Sequence, residues 1–299
     1  MKKWFLVSIT AFMLGTQAAH ADWQMDLQRA ETAMTEGRYI ESLNALDRVL
    51  QDNPNAWEAY LKRARVHAAL GNHAQVVHNY NQVMTLHPRL EAAWAQRYQY
   101  FMQKGMLTQA EYDLSEGLRL LPRSPRLNYL QAMHLIQKQQ NALALPYLEN
   151  VLLTQPVIET NTSFDPLYLR SSAIRASMYQ SMGQMEPYGR ELGLLIAMSP
   201  REAELHWGRA LWHYQHRQDM AAAKGDLNNY LYLAPRSAKG YALRAKINLA
   251  GNLCADALSD LKMACGLGVK NACYRKPPCE VPEEKAAPES EPGAAGAST

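Results

Sequence analysis

The sequence has no dominant charge. Its 31 Lys and Arg stand against 28 Asp and Glu, a formal net charge of +3, and no stretch gathers the cations into the basic face that nucleic-acid binding needs. Nor does it contain a glycine-rich phosphate loop, a G-x-S-x-G elbow or an H-E-x-x-H helix. Those absences remove the common signatures of nucleotide binding, nucleophilic hydrolysis and zinc-dependent hydrolysis, and neither a catalytic residue nor a cofactor is expected. Cysteine is scarce, four in all and never as C-x-x-C, which argues against a thioredoxin-like redox pair and against the paired knuckles of a zinc module.

What is present at the two ends is informative. Met1, Lys2 and Lys3 precede an apolar run from Trp4 through Leu14, and Ala19, His20 and Ala21 come just before Asp22. A charged start, a short apolar centre and an Ala-x-Ala exit are the parts of a secretory signal peptide. Residues 1–21 are therefore expected to be removed after Ala21, and the run is too short for a lasting membrane anchor. An uncleaved anchor is the competing reading. No cysteine stands at the exit, so a lipid anchor there has no attachment point. At the other end, residues 280–299 hold five glutamates, one lysine, three prolines and no aromatic side chain. Such a segment cannot offset its ordering entropy by burial and is expected to be a disordered acidic tail.

Between the ends the chain repeats. Pro54, Pro88, Pro122 and Pro156 follow one another at a constant step of thirty-four positions, and Gly37, Gly71 and Gly105 keep the same step, each half a step before a proline. A proline cannot continue a helix, and a glycine accepts backbone angles that are costly elsewhere. The pattern predicts two helices per repeat, with the glycine in the turn between them and the proline at the end of the second. Ala64, Ala132, Ala176, Ala210 and Ala245 recur where two antiparallel helices would cross most closely. Gly183 and Pro200 preserve the half-step offset after an insertion of about ten positions in the connection 157–168, and Pro235 follows Pro200 at one position more than the regular step.

With Trp57, Ala64, Gly71, Tyr80 and Pro88 in one repeat, and Trp94, Gly105, Ala110, Leu114 and Pro122 in the next, the chain resembles the tetratricopeptide family. The resemblance implies an all-α fold, a right-handed α-solenoid of about seven helix pairs over residues 22–268, whose stacking supplies the core that no single pair can make. The first repeat has Asp26 where a large apolar residue is expected, and the fourth has Asn128 there and Gln139 in place of glycine.

All four cysteines, Cys254, Cys265, Cys273 and Cys279, are clustered near the C-terminal end. An even cluster in an exported chain reads as two disulfides, with a four-thiolate zinc site as the alternative. The stretch from Lys262 to Gly268, followed by Asn271, Ala272 and Cys273, is similar to the turn of the cysteine-bearing Sel1-type helix repeats. That similarity implies Cys265 with Cys273, and Cys254 with Cys279 nested around it, closing a cap over residues 269–279. His206, His213 and His216 lie roughly on one side of a predicted helix, and His67, His73 and His78 give a weaker case. Both groups read as packed or edge histidines, with no carboxylate or cysteine beside them in sequence to complete a metal site. Glu159 and Asp165 in the long connection, and the sequon at Asn161, Thr162 and Ser163, are common features of loops.

In the tetratricopeptide family the concave groove is lined by the first helix of each pair. The resemblance places Leu61, Arg65, Met102, Arg126, Tyr129, Met133, Ile136, Arg170, Trp207, Leu211 and Tyr214 there as partner-binding residues, with Leu27, Glu31, Met34, Gln99, Gln180, Lys239 and Lys246 beside them. Members that grip the C-terminal carboxylate of heat-shock chaperones carry Lys and Asn where Leu27 and Glu31 stand here. The expected partner is a protein or peptide segment, without nucleic acid and without a membrane span after cleavage. The implied role is a periplasmic or secreted scaffold or assembly factor of the bacterial envelope, in secretion, envelope assembly or respiratory-protein maturation. The alternative is a carbohydrate-binding accessory of exopolysaccharide export or cell-wall remodelling, with Trp207, Trp212 and Tyr214 as stacking platforms.

Overall fold

The computed structural model describes residues 23–154 and 165–273. The segments read as a signal peptide and as an acidic tail, Cys279, Glu159 and the sequon all lie outside these residues. Every described element is helical, and the chain divides into two compact units, Met1–Ser171 and Ser172–Thr299.

In the first unit the helices run α1 (residues 23–35), α2 (Tyr39–Asp52), α3 (Trp57–Ala69), α4 (His73–Leu86), α5 (Glu91–Gln103), α6 (Leu107–Leu120), α7 (Pro125–Gln137) and α8 (Asn141–Leu153). Helix α9 (Pro166–Ser181) carries the chain into the second unit. There α10 (Met185–Met198), α11 (Ala203–Trp212), α12 (Met220–Leu233), α13 (Ala238–Ala250), α14 (Cys254–Gly266) and the short α15 (Lys270–Cys273) follow. Consecutive helices from α1 to α14 pair as hairpins, as the regular step of the prolines and glycines predicts.

Each hairpin turn is made the same way. One residue takes a left-handed conformation at Gly37, Gly71, Gly105 and Gly183, and Gln139, Gln218 and Asn252 take it in the turns that have no glycine at that position. In all but one of these turns the next N–H donates to the carbonyl five positions back, as from Asn72 to His67 at 2.9 Å and from Gln140 to Leu135 at 2.9 Å, which closes the end of the first helix. The repeat with a glutamine is thus built like those with glycine. The backbone requires a conformation, and the residue type only sets its cost.

The exceptional turn accounts for the longer step between Pro200 and Pro235. Residues His213–Arg217 form a π-helical segment at the end of α11, and the Asp219 N–H reaches six positions back, to the His213 carbonyl at 3.1 Å. A π-bulge is how a helix absorbs one extra residue.

The prolines stand just past the ends of α2, α4, α6, α10 and α12. Their carbonyls then tie down the following helix. Trp94 Nε1 donates to the Pro88 carbonyl at 2.9 Å, Asn128 Nδ2 to Pro122 at 3.0 Å, His206 Nε2 to Pro200 at 2.9 Å and Tyr241 OH to Pro235 at 3.2 Å. Four residue types serve one register position because each carries a donor. Asn128 is therefore an equivalent anchor where the sequence suggested a defect.

Cores form between neighbouring pairs. Ala64, Trp94, Tyr98, Phe101, Ala110 and Leu114 belong to one cluster in the first unit, and Ala210, Leu227, Tyr230 and Ile247 to one in the second. The recurring alanines Ala64, Ala132, Ala176, Ala210 and Ala245 are all buried, as close helix crossing demands. In the third pair that position is Tyr98, buried with its ring edge-on to His134.

The connection assigned to 157–168 ends earlier than the sequence suggested. Residues 155–164 lie outside the described set, but Pro166, Leu167 and Tyr168 are already helical. Asp165 Oδ1 accepts the Leu167 N–H at 2.8 Å, and buried Tyr168 donates its hydroxyl to the Thr154 carbonyl at 3.3 Å. Asp165 is thus a turn cap, and Tyr168 is a packing residue and not part of a loop.

Candidate functional site

The residues assigned to the partner-binding face are spread over the first helices α3, α5, α7, α9 and α11 and the π-helical segment that extends α11. None is fully buried: Arg65, Arg126 and Arg170 are exposed and the others are partly covered. Tyr129, Met133 and Ile136 are separated by four and then three positions on α7, so they share one face of that helix. Leu61 and Met102 pack at the edge of the first unit's core.

In the first unit, Arg65 is the one arginine of this face with an acid partner among the described residues. Lys62 and Arg65 both reach Glu31, the latter at 3.5 Å, and the hydrogen bond from Lys62 holds the Glu31 carboxyl below its ordinary value. In the second unit the balance is cationic over aromatic. Lys239 Nζ lies 4.7 Å from the centre of the Trp207 ring and Lys246 Nζ 5.2 Å from that of Tyr214. Lys239 also meets Glu204 at 3.0 Å, whereas Lys246 has no carboxylate partner among the described residues.

The packing corrects the reading of Trp212 as a sugar platform. Trp212 is only 9% exposed, and its ring fits against Gly189, where an added Cβ would come within 2.2 Å of it. Trp207 has the Tyr230 ring at 5.3 Å as well as the Lys239 ammonium against it. Trp212 therefore presents no open ring face for a sugar.

The histidines also need a correction. Asp226 stands beside His206 and His213, at 3.9 and 3.8 Å, a neighbour that sequence spacing could not reveal because it comes from α12. No group of three or more His, Cys, Asp or Glu among the described residues is arranged to hold a metal ion. His206 is buried and is held through Nε2 by the Pro200 carbonyl, so it serves as a structural anchor.

Asp226 belongs to a feature the sequence reading missed, an arginine clamp that recurs through the chain. One register position of the first helix holds Arg63, Arg97, Arg175, Arg209 or Arg244, and a polar residue sixteen or seventeen positions later on the second helix receives it. Arg97 donates through Nε and Nη2 to Asp113, Arg209 to Asp226 and Arg244 to Asp260 in the same two-pronged manner. Arg63 Nε meets Asn79 at 2.7 Å, and Arg175 Nη2 meets Glu191 at 3.0 Å.

Nη1 extends the clamp to the preceding repeat. It reaches Asp47 from Arg63, Asn81 from Arg97 and Asn228 from Arg244, in each case the side chain sixteen positions before the arginine. One guanidinium thus crosslinks three helices. The Arg97–Asp113 pair is nearly dry, with side chains 9% and 0% exposed. Burial pushes the Asp113 carboxyl up against the lowering pull of Arg97, whereas the Asp260 hydrogen bond raises the Arg244 guanidinium. The signal was present in the sequence as arginine recurring with the repeat, with an acid or amide sixteen or seventeen positions after it.

At the C-terminal end Cys265 and Cys273 are joined, with their Cα atoms 4.9 Å apart. That bridge ties α14 to α15. The other implied bridge, Cys254 with Cys279, has one end outside the described residues.

The chain is therefore an all-α repeat protein whose helix pairs carry the tetratricopeptide residues in register. It is similar in fold to a tetratricopeptide repeat protein from Parabacteroides merdae, at 19% identity over 85% of this chain and 96% of that one, with a TM-score of 0.44. It is also similar to Pseudomonas aeruginosa pilF, at 14% identity over 77% and 99% with a TM-score of 0.48. A third similar structure is the C-terminal part of a repeat protein from Cytophaga hutchinsonii, at 14% identity over 83% and 98% with a TM-score of 0.48. No family model and no curated protein matches the chain.

Proposed function

We propose that the chain is a non-enzymatic scaffold or assembly factor that holds a protein segment against its first helices, working in the periplasm or outside the cell after cleavage at Ala21. The observation that supports this most is a partly covered set of apolar and aromatic side chains on the first helices of each unit: Tyr129, Met133 and Ile136 in one, and Trp207, Leu211 and Tyr214 in the other. Side chains that are neither sealed in a core nor fully solvated gain from a partner that completes their burial. Methionine tolerates an irregular partner shape, and an amphipathic helix or an extended segment offers apolar side chains to such a surface. No described helix is long and apolar enough to cross a membrane.

Placing a charge on this set is the test. Met133→Glu and Leu211→Glu should each abolish co-purification of a polypeptide partner from envelope extracts while leaving the helical circular dichroism intact. Undiminished recovery of the same partner with both variants refutes the reading. Export is tested separately by N-terminal sequencing, which should begin at Asp22.

A further inference from the structure

The last described repeat is basic. Residues 238–273 hold Lys239, Arg244, Lys246, Lys262 and Lys270 against Asp256 and Asp260. Both acids are already engaged, Asp260 by Arg244 and Asp256 by Lys224. Lys246 is exposed and meets no carboxylate among the described residues.

Lys239 and Lys246 stand seven positions apart on α13, which is two turns and about 10.5 Å along one face of the helix. Each ammonium covers an aromatic ring, Trp207 of α11 or Tyr214 of its π-helical extension, and Leu211 lies between those two in sequence. Lys239 has Glu204 at 3.0 Å, in a pair whose side chains are 49% and 70% exposed, and so solvated a pair holds weakly. Lys246 is therefore the main point of attachment for an anion, and Lys239 a secondary one.

The chain carries a matching anion nearby. The described residues end at Cys273, and Ala272 is buried in one cluster with Ala245, the neighbour of Lys246. Glu280 comes seven positions after Cys273, a span of up to about 23–25 Å. Helix α13 has 13 residues and is about 20 Å long, so all of it is within reach. From Glu280 the sequence runs Val281, Pro282, Glu283 and Glu284. Pro282 fixes its own φ and favours extended backbone at Val281. In a polyproline helix, residues three apart share a side at about 9 Å, close to the separation of the two lysines. With five glutamates and one lysine, residues 280–299 also have the opposite sign to the repeat they follow.

We infer that Glu280 to Glu284 dock on the lysine-bearing face of α13, Glu280 on Lys246 and Glu283 on Lys239. So placed, the tail competes with a protein partner for Trp207, Leu211 and Tyr214. The occupant is this chain's own segment because sign, spacing and tether length coincide in it. The competition rests on the partner-binding reading above, but the docking does not. It is read on the purified chain with no partner present, so either can fail alone.

Carbodiimide crosslinking of the purified full chain, which joins a carboxylate to an amine in contact with it, tests the docking. Lys262 and Lys270, exposed on α14 and α15, serve as controls for tethering alone. At low salt the monomer should yield Glu280–Lys246 bridges about five times as often as bridges from Glu280 to either control, and about 1 M sodium chloride, which screens charges within about 3 Å, should remove most of that preference. Equal yields at the three lysines, bridges confined to a crosslinked dimer, or no bridge at all would overturn the inference. Side-chain NMR gives an independent readout. The double variant Glu280→Gln, Glu283→Gln should shift the resonances of Lys246 and of the Tyr214 ring at low salt, with helical circular dichroism unchanged. Resonances that stay where they are would overturn the docking as well.

Discussion

Arg97→Met is the perturbation that probes the clamp most sharply. It keeps the aliphatic stem against Trp94 and Phe101, over whose rings the guanidinium lies at 5.8 Å in each case, and removes only the charge and its donors. Asp113, with a side chain 0% exposed, is then left buried without its partner, and Asn81 loses the bond that ties α4 to α5. Breaking a buried pair from one side costs about 3–5 kcal/mol, while replacing both partners by apolar residues is often close to neutral. The double variant Arg97→Met, Asp113→Leu should therefore recover most of the loss. Urea titration followed by tryptophan fluorescence gives the stability change. Hydrogen exchange across α4, α5 and α6 locates it, which matters because a repeat array can open one part at a time. The sign of the pH dependence is fixed as well. Burial already holds the Asp113 carboxyl above its ordinary value, and without Arg97 it climbs further. An acid whose folded pKa exceeds its unfolded one loses stability as pH rises between the two values. Arg97→Met should accordingly be weakest near neutral pH and regain part of its stability on acidification, before general acid unfolding sets in. A cost below about 1 kcal/mol, the range of an exposed pair, or a double variant as unstable as the single, would refute the reasoning.

The left-handed turn residues make a second prediction: Gln139→Gly should stabilise by about 1 kcal/mol and Gly71→Ala should destabilise by about 1–2 kcal/mol, both readable as shifts in urea midpoint. Two glycines on α10 should respond in opposite directions. Gly189→Ala drives a Cβ to 2.2 Å from the Trp212 ring and should cost about 1–3 kcal/mol, whereas Gly193→Ala meets open space and should gain about 1 kcal/mol from helix propensity; equal effects by calorimetry would contradict the packing described. Reducing or removing the Cys265–Cys273 bridge should cost about 2–3 kcal/mol and raise exchange in α14 and α15 alone, and a loss that reaches α11 would show a wider role.

The periodic prolines and glycines made the helix pairs legible, because each fixes a local backbone event that no neighbour can override. The left-handed Gln139, Gln218 and Asn252 were invisible by residue type, since conformation and not identity is what repeats. The longer step from Pro200 to Pro235 announced one extra residue, but not that a π-helical segment at His213–Arg217 would take it up. Trp212 read as an open aromatic because its cover is a glycine on another helix. Asp226 was absent from the histidine reading for the same reason, and the clamp was missed because its parts lie on different helices, separated by a turn. For Trp212, the histidines and the clamp, the deciding neighbour is distant in sequence and near in space.

Photo-crosslinking in living cells tests the central claim, that the first helices hold a protein segment, most directly. A benzoylphenylalanine at Tyr129 or Trp207 should yield a defined polypeptide adduct by mass spectrometry, and one at Tyr232, 85% exposed on the second helix of its pair, should not. Adducts at Tyr232 alone, or none at Tyr129 and Trp207, would contradict the account.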